Sequence, residues 1–325
     1  MAVEIAKQNW DGQVEELTIG ATEEEGGTRT STVTVGGETT LPFLHFEGEI
    51  PNKPVVALEI LDEEPKDWPE PLAEVWGDVW DDPAKWAKKC VEEYGAELIA
   101  LRLTSADPIG QDRSAEEIAE TVEEVLDAVG VPLIILGCGD EEKDNEILKA
   151  AAEAAEGENL LIGFAEEENH STIAAACMVH DHNVIAQSPV DMNICKQLNI
   201  LLTDMKVKTN QIVIDPLVSS LGYGMEYSYS VMERIRLGAL RDDDMLAMPM
   251  INFIGEEAWD VKETQASEEE KPGWGELSTR GIQWETAMGT TVLQGGADIL
   301  VARHPESKEN IEAGIEELMT ESSYE

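Results

Sequence analysis

The stretch LIALRLTSADPIGQDRSAEEIAETVEEVLDAVGVPLIIL, residues 98–136, decides the fold. It opens on the aliphatic run Leu98–Leu103 and closes on Pro132–Leu136, and neither run alternates with polar residues in the manner of a half-exposed strand. Continuous apolar runs of this length read as strands buried on both faces, the condition of a parallel sheet. Between them Ser114-Ala115-Glu116-Glu117 is a capping box. Ile118, Val122, Val125, Leu126 and Val129 follow at helical spacing, and Gly130 ends the helix. Strand, crossover helix and strand make one βα repeat of a parallel sheet.

The same unit recurs in both directions. Upstream lies VVALEI from Val55; downstream lie LLIGF from Leu160, VIAQ from Val184, IVIDP from Ile212, MPMINFI from Met248 and ILVAR from Ile299. Asp82-Pro83 opens another helix, with Ala87, Cys90, Val91 and Tyr94 on its inner face and Gly95 as the stop. Eight such units in roughly 265 residues match the count and size of a (β/α)8 TIM barrel, here residues 54–325. A doubly wound α/β sheet is the alternative. Residues 1–53 read differently. Thr30–Val35, Gly36-Gly37 and Glu38–Leu41 form an N-terminal β-hairpin extension with a two-residue turn. Two strands alone are marginal in water, so the extension must pack on the barrel or on a partner.

Charge sets the partner class. The chain carries 68 Asp+Glu against 22 Lys+Arg, a formal net charge of −46. A folded chain of this mass exposes roughly 13,000 Å², about one net negative charge per 290 Å². Such a field repels phosphate backbones, so nucleic acid and anionic membrane are poor partners. The surface suits a salt-rich cell interior, and stability is expected to rise with salt. The N-terminal MAVEIAKQNWDGQVEE has neither the basic nor the apolar region of a secretory leader. No run approaches the ~18–20 apolar residues of a membrane span. A soluble, cytoplasmic protein is expected.

Cysteines and histidines limit metal chemistry. Cys90, Cys138, Cys177 and Cys195 contain no C-x2-C pair, so neither an iron–sulfur cluster nor a zinc site is expected. His180-Asp181-His182 has metal-ligand residue types, but it falls in a helix-to-strand connection, at the barrel end remote from chemistry; a structural role is expected. No D-x-H-x-x-G corrinoid-ligand motif is present.

In a barrel, function belongs to the loops after the strands. The two longest follow the first strand (about Leu61 to Asp82) and the seventh (about Gly255 to Thr279), both neighbours of the eighth. They carry Trp68, Trp76, Trp80, Trp259 and Trp274. Two readings stand: a docking surface for a large flat ligand or a partner, or loops packed on themselves or on the hairpin. The polar groups at strand ends are Glu59, Arg102, Thr104, Gln187, Ser188, Asp215, Asn252, Arg303 and His304. From these the candidate cofactor-facing residues at the mouth are Asp215, Asn252, Arg303 and His304, with Trp259 and Trp274.

Long stretches resemble a known family. These are Gly26–Ile50 (GGTRTSTVTVGGETTLPFLHFEGEI), Ser188–Ile200 (SPVDMNICKQLNI), Ile214–Leu240 (IDPLVSSLGYGMEYSYSVMERIRLGAL), Pro272–Glu285 (PGWGELSTRGIQWE) and Ala302–Glu306 (ARHPE). Together they resemble the small subunit of the corrinoid/iron–sulfur protein, whose archaeal counterpart is the delta subunit of acetyl-CoA decarbonylase/synthase. The resemblance implies a TIM barrel in a heterodimer with a large subunit that carries a [4Fe–4S] cluster and a corrinoid (cobalamin). It implies a place in the reductive acetyl-CoA pathway, with a methyl group passing from a methylated pterin through a methyltransferase to cobalt. From there it goes on to acetyl-CoA synthase/CO dehydrogenase. This chain would be a non-catalytic accessory that caps the corrinoid, holding no iron–sulfur cluster and no metal of its own.

The alternatives are the pterin-dependent methyltransferase itself and a purely architectural subunit. A pterin pocket of the related methyltransferases resembles a ring of Asp and Asn at strand ends. Asp215 and Asn252 look like two of its members, while Arg102-Leu103-Thr104 and Gly137-Cys138-Gly139 stand where the others would be.

Overall fold

Each of the eight apolar runs forms a strand in the computed structural model, which describes residues 6–320. Residues 1–5, on which part of the leader reading rests, lie outside the described residues. Two short strands come first, β1 (Leu17–Ile19) and β2 (Val33–Val35). The barrel follows with β3 (Val55–Leu61), β4 (Ile99–Arg102), β5 (Leu133–Leu136) and β6 (Leu161–Ala165). It continues with β7 (Asn183–Gln187), β8 (Ile212–Asp215), β9 (Ile251–Asn252) and β10 (Ile299–Ala302). The sheet is parallel, in the order β8-β7-β6-β5-β4-β3-β10-β9. Its two ends meet where Ile214 bridges Met250 and the Ile214 N–H donates to the Pro249 carbonyl at 2.8 Å, closing the barrel.

Alternation along each strand sorts the side chains. Val56, Leu58 and Ile60 of β3 face the surrounding helices and join the larger apolar cluster. Val55 and Ala57 face inward with Ala100, Ile134, Leu136, Leu161, Ile185, Val213, Ile251, Ile299 and Val301. The interior is therefore a packed core in its lower layers. The sequence-read caps hold: Ser114 accepts from the Glu117 N–H and Asp82 from the Lys85 N–H, with Pro83 opening the helix Pro83–Glu92.

The N-terminal extension is two-stranded, but its pairing differs from the expected one. Val33–Val35 pairs antiparallel with Leu17–Ile19, not with Glu38–Leu41. Gly36 and Gly37 both adopt left-handed backbone (φ 83° and 90°), yet they do not make a hairpin turn. A Cβ on Gly36 would lie 2.0 Å from the Glu15 carbonyl oxygen, so the segment leading into β1 already occupies that side. The next carbonyl, that of Glu38, accepts from Val14 N at 2.9 Å. The pairing serves burial: Leu17, Ile19, Val33 and Val35 all join the barrel's inner cluster, and the extension is the barrel's floor. Buried Arg29 pins it there. Its guanidinium lies 2.7 Å from Glu158 and donates to the Leu126 and Val129 carbonyls at the end of the helix Ala115–Ala128.

Candidate functional site

The upper layer of the barrel interior is polar, and one buried carboxylate organises it. Glu59, 1 % exposed, continues the inward face of β3. Arg102 Nε, from the end of β4, sits 2.7 Å from Glu59 Oε1; Arg303 Nε, just after β10, sits 2.5 Å from Oε2. The two guanidinium groups hold the Glu59 carboxyl down at about 2 although burial opposes ionisation. Arg102 reaches further, placing Nη2 2.7 Å from Glu256 on the short helix Ile254–Trp259 that follows β9. Its guanidinium also lies over the rings of Phe164 and Phe253, 6.0 and 5.7 Å from their centroids. Those two rings meet edge to face at 5.1 Å.

The Arg102–Glu256 pair divides the mouth into two recesses. One, of about 280 Å³, is lined by Asp215, Gln187, Phe164, Phe253, Glu166 and Glu257. The other, of about 330 Å³, is lined by Trp68, Arg303, Thr104, Cys138, Glu63 and Gln265. Arg102 and Glu256 border both. At the base of the first, Asp215 Oδ2 accepts from Gln187 at 2.8 Å and Oδ1 from the Leu217 N–H at 3.0 Å. Complete burial pushes its carboxyl up to about 7. Beside the second recess Asp62 accepts from the N–H and hydroxyl of Ser105, which orders the turn after β4.

The residues singled out in the sequence take different places. Asp215 and Arg303 do reach the mouth, one in each recess. His304 is buried: its Nδ1 accepts from the Glu306 N–H at 3.1 Å, capping the helix Pro305–Leu318. Its ring stacks on Trp259 at 5.9 Å, and burial lowers its pKa to about 4. Trp259 borders the second recess but is only 1 % exposed. Asn252 turns away. Its neighbours Ile251 and Phe253 both face the barrel interior, which puts the Asn252 side chain on the helix side, fully buried. Trp274 stands apart on the outer loop, 38 % exposed, with Lys262, Lys271 and Arg280 at 6.0, 5.3 and 5.6 Å from its ring.

The remaining loop tryptophans are packing residues. Trp76 is buried, donates to the Arg303 carbonyl at 2.9 Å and lies 5.8 Å from Trp86. Trp68 meets Trp86 edge to face at 5.4 Å and carries the Arg303 guanidinium at 5.0 Å from its centroid. The first long loop thus folds onto itself, around Trp86, whose inward position was not read from the helix pattern. Burying so much ring area outweighs exposing it to a ligand.

His182, in the His-Asp-His stretch, is structural: it accepts from the Leu160 N–H (3.1 Å) and its Nε2 lies 2.9 Å from the Ala152 carbonyl. Among the described residues no three His, Cys, Asp or Glu side chains gather as a metal site. No described helix is long and apolar enough to cross a membrane.

Sequence reasoning missed several groups at the mouth. Glu256, Glu257 and Glu166 carry no motif and are three acids among 68. Phe164 and Phe253 left a signal, being two of only four phenylalanines and both standing at strand ends. Glu285, fully buried in the helix Leu277–Gly295, accepts from the Arg303 and His304 N–H groups at 2.6 and 3.2 Å. Nothing in the sequence links it to a turn 18 residues away.

The fold is a TIM barrel of the dihydropteroate synthase shape. The dihydropteroate synthase of Coxiella burnetii in complex with pteroic acid superposes with a TM-score of 0.59 at 9% identity, over 94% of this chain and 100% of that one. The Xanthomonas albilineans enzyme with 4-aminobenzoic acid gives 0.56 at 14% identity, over 86% and 99%. At such identity the likeness is one of fold. The particular family is shown by sequence: residues 16–310 match the model of the CO dehydrogenase/acetyl-CoA synthase delta subunit, and the chain belongs to that family. The acetyl-CoA decarbonylase/synthase complex subunit delta of Archaeoglobus fulgidus is 38% identical over 92% of this chain and 67% of its own length. Subunit delta 1 of Methanosarcina thermophila is 39% identical over 92% and 69%, and the Methanocaldococcus jannaschii subunit 38% over 92% and 72%.

Proposed function

We propose that this chain is the barrel subunit of a corrinoid methyl carrier, its mouth placed against a corrinoid held by a larger subunit. The observation that carries the reading is the shape and chemistry of the mouth. Two recesses flank an ion pair and are rimmed by carboxylates. A face of this kind fits the outside of a macrocycle: Glu166, Glu256 and Glu257 would accept the N–H groups of its peripheral amides. His304 would not hold the group's metal, because its imidazole is buried, stacked and already accepting a backbone N–H.

When bound, the corrinoid supplies a cobalt that takes up and gives away a methyl group. This chain's residues shield and orient. The Glu59–Arg102–Arg303 cluster fixes the floor of the mouth, Phe164 and Phe253 exclude water from it, and Glu256 holds Arg102 toward the rim. The partners are the corrinoid-bearing large subunit, a pterin-dependent methyltransferase and acetyl-CoA synthase/CO dehydrogenase, in the cytoplasm.

The test is the reoxidation rate of Co(I) in the large subunit, alone and with this chain. The rate should fall at least tenfold on assembly, and Glu256→Lys with Glu166→Lys should restore much of it. Equal rates with and without the chain overturn the shielding role and leave a scaffold.

A second reading, a methyltransferase with its own pterin site, has one observation in its favour. Asp215 and Gln187 form a hydrogen-bonding base in an aromatic-walled recess. Against it, Asn252 turns to the helix layer and Arg102 occupies the space between the two rings and Glu256. Unpaired groups of a buried heterocycle cost about 1–3 kcal/mol each. Micromolar binding of a methylated pterin to the isolated chain in a calorimeter would favour this reading.

A further inference from the structure

Beyond the Arg29 pair, a buried charge cluster ties the N-terminal extension to the barrel at the end opposite the mouth. Glu38, Arg236 and Asp298 are 7, 3 and 2 % exposed. Arg236, near the end of the helix Met225–Ala239, places Nη2 2.8 Å from Asp298 Oδ2 and Nη1 3.3 Å from Glu38 Oε2. Asp298, just before β10, also accepts from the Met250 N–H at 2.7 Å. The Glu38 carboxyl meets that of Asp298 in a hydrogen bond as well as the guanidinium. Two carboxyls thus share one cation, out of reach of water.

Charge counting decides the protonation. Two ionised carboxylates against one guanidinium would leave a net negative charge inside the protein, where desolvation makes it costly. One proton between the two carboxyls removes that charge and supplies a hydrogen bond. The Glu38 carboxyl is accordingly pushed up to about 8, by burial first and by Asp298 second, with Arg236 opposing. Asp298 and Arg236 are the charged groups that face it. Glu16, beside Gly37 and bonded to Asn52, and Glu49 are exposed to water. Glu38 also begins a strap, residues 38–50, whose neck is closed by the Thr39 N–H on the Glu49 carbonyl at 3.0 Å. A space of about 20 Å³ between strap and barrel is lined by Thr40, Phe43, Ile50, Leu293 and Arg236. At its tip the strap is tied by titratable His45, whose Nε2 lies 2.9 Å from the Leu318 carbonyl, and by Glu47, which accepts from the Gln8 N–H and the Trp10 indole. These tip bonds are partly or fully exposed, whereas the Glu38 cluster is buried.

We propose that Glu38, Asp298 and Arg236 are a proton-operated latch: one proton held between the two carboxyls keeps the strap closed on the barrel floor, and its loss as pH rises opens the strap. Opening carries Glu38 to water, where it ionises as an ordinary carboxyl does. The sign follows from the two states. A carboxyl raised to about 8 when closed and returned to 4.5 when open favours the closed strap fully below 4.5. That preference is lost as pH rises to about 8, and above it the opening equilibrium is level.

The test is hydrogen exchange of the full chain, read on the amides of residues 38–50 across this pH range and corrected for base-catalysed chemistry. The opening equilibrium should rise about thirtyfold or more from pH 5.5 to pH 8.5 and then level off. Glu38→Gln keeps a hydrogen bond without a titrating group, so its strap should stay as closed at pH 8.5 as the wild type's is at pH 5.5. A contribution from His45 would survive in that variant, and Asp215 titrates at the other end of the barrel, so both are separated from the latch. The wild-type chain alone also carries the test: the Glu38 carboxyl carbon, followed by nuclear magnetic resonance, should titrate with a midpoint near 8. A midpoint near 4.5 overturns the shared proton. Strap protection that does not change with pH, or Glu38→Gln with the wild-type pH dependence, overturns the latch.

Discussion

Arg303 Nε lies 2.5 Å from Glu59 Oε2 while the Arg303 guanidinium covers the ring of Trp68 at 5.0 Å. One side chain thereby ties the barrel's inner carboxylate to the first long loop. Because Arg102 holds the other oxygen of Glu59, two loops and two strands depend on one buried charge. Removing that charge leaves two guanidinium groups facing each other.

Glu59→Leu should therefore cost about 3–5 kcal/mol, the range for breaking a buried pair by removing one partner. Urea unfolding at neutral pH measures it. The pH dependence has a definite sign. A carboxyl held at about 2 in the fold against an ordinary 4.5 contributes stability that is complete above 4.5 and lost as pH falls toward 2. Glu59→Gln should flatten this part of the acid limb. An unchanged acid limb would show that the two arginines do not hold the carboxylate ionised.

Asp215 behaves in the opposite way. Its carboxyl is raised to about 7, so its contribution is complete below 3.8 and is lost as pH rises through 7. Asp215→Asn should leave stability nearly unchanged at pH 4 and raise it at pH 8 by about 1–3 kcal/mol. That range is the cost of a buried group whose charge lacks full compensation. Gln187 can turn its amide oxygen toward the new Nδ2, keeping the pairing. Unfolding curves for both proteins at the two pH values decide it; a destabilised variant at pH 8 would mean that Asp215 carries charge usefully.

Gly281 exists for Trp259. A Cβ there would lie 2.3 Å from the indole ring, inside any real contact distance. Gly281→Ala removes a mid-helix glycine and on propensity alone should stabilise by roughly 0.5–1 kcal/mol. The clash must win, because the ring is wedged between this helix and His304. We expect a net loss of about 1–3 kcal/mol, as for overpacked cores. A red shift of tryptophan emission should accompany it as the indole moves toward water. A raised melting temperature would show that the ring has room to move.

Much of this fold was legible because the two strongest signals, apolar runs and capping boxes, are local. All eight barrel strands begin and end near the apolar runs, and Ser114, Asp82 and Pro83 do what short-range chemistry dictates. The floor was misread because Leu17-Thr18-Ile19 is three residues long and gains its strand identity from the barrel interior that it plugs, not from its neighbours. The same limit applied at the mouth. Asp215 and Arg303 could be placed from strand ends, but whether Asn252 turns inward depends on the register at the β8–β9 closure. Glu256 reaches Arg102 across 154 residues, a distance no local pattern encodes.

The charge balance yields the last prediction. A net −46 over 14603 Å² places net charges roughly 18 Å apart. In 0.01 M salt the Debye length of about 30 Å lets each charge feel several neighbours; at 1 M, about 3 Å, it feels none. Unfolding spreads these charges, so repulsion destabilises the compact state in dilute buffer and screening removes that penalty. The melting temperature should climb on the order of 10 °C between 0.01 M and 1 M KCl, a shift of a few kcal/mol for a domain of this size. Screening must be separated from the strengthening of apolar burial that sulfate produces. Replacing Glu116, Glu120, Glu123 and Glu124 by Gln on one exposed helix face supplies that separation. It should raise the melting temperature in dilute KCl and shrink the rise toward 1 M, while leaving the response to sulfate above 1 M KCl intact. A flat profile in KCl, or a variant with the wild-type salt response, would show that self-repulsion does not limit this fold.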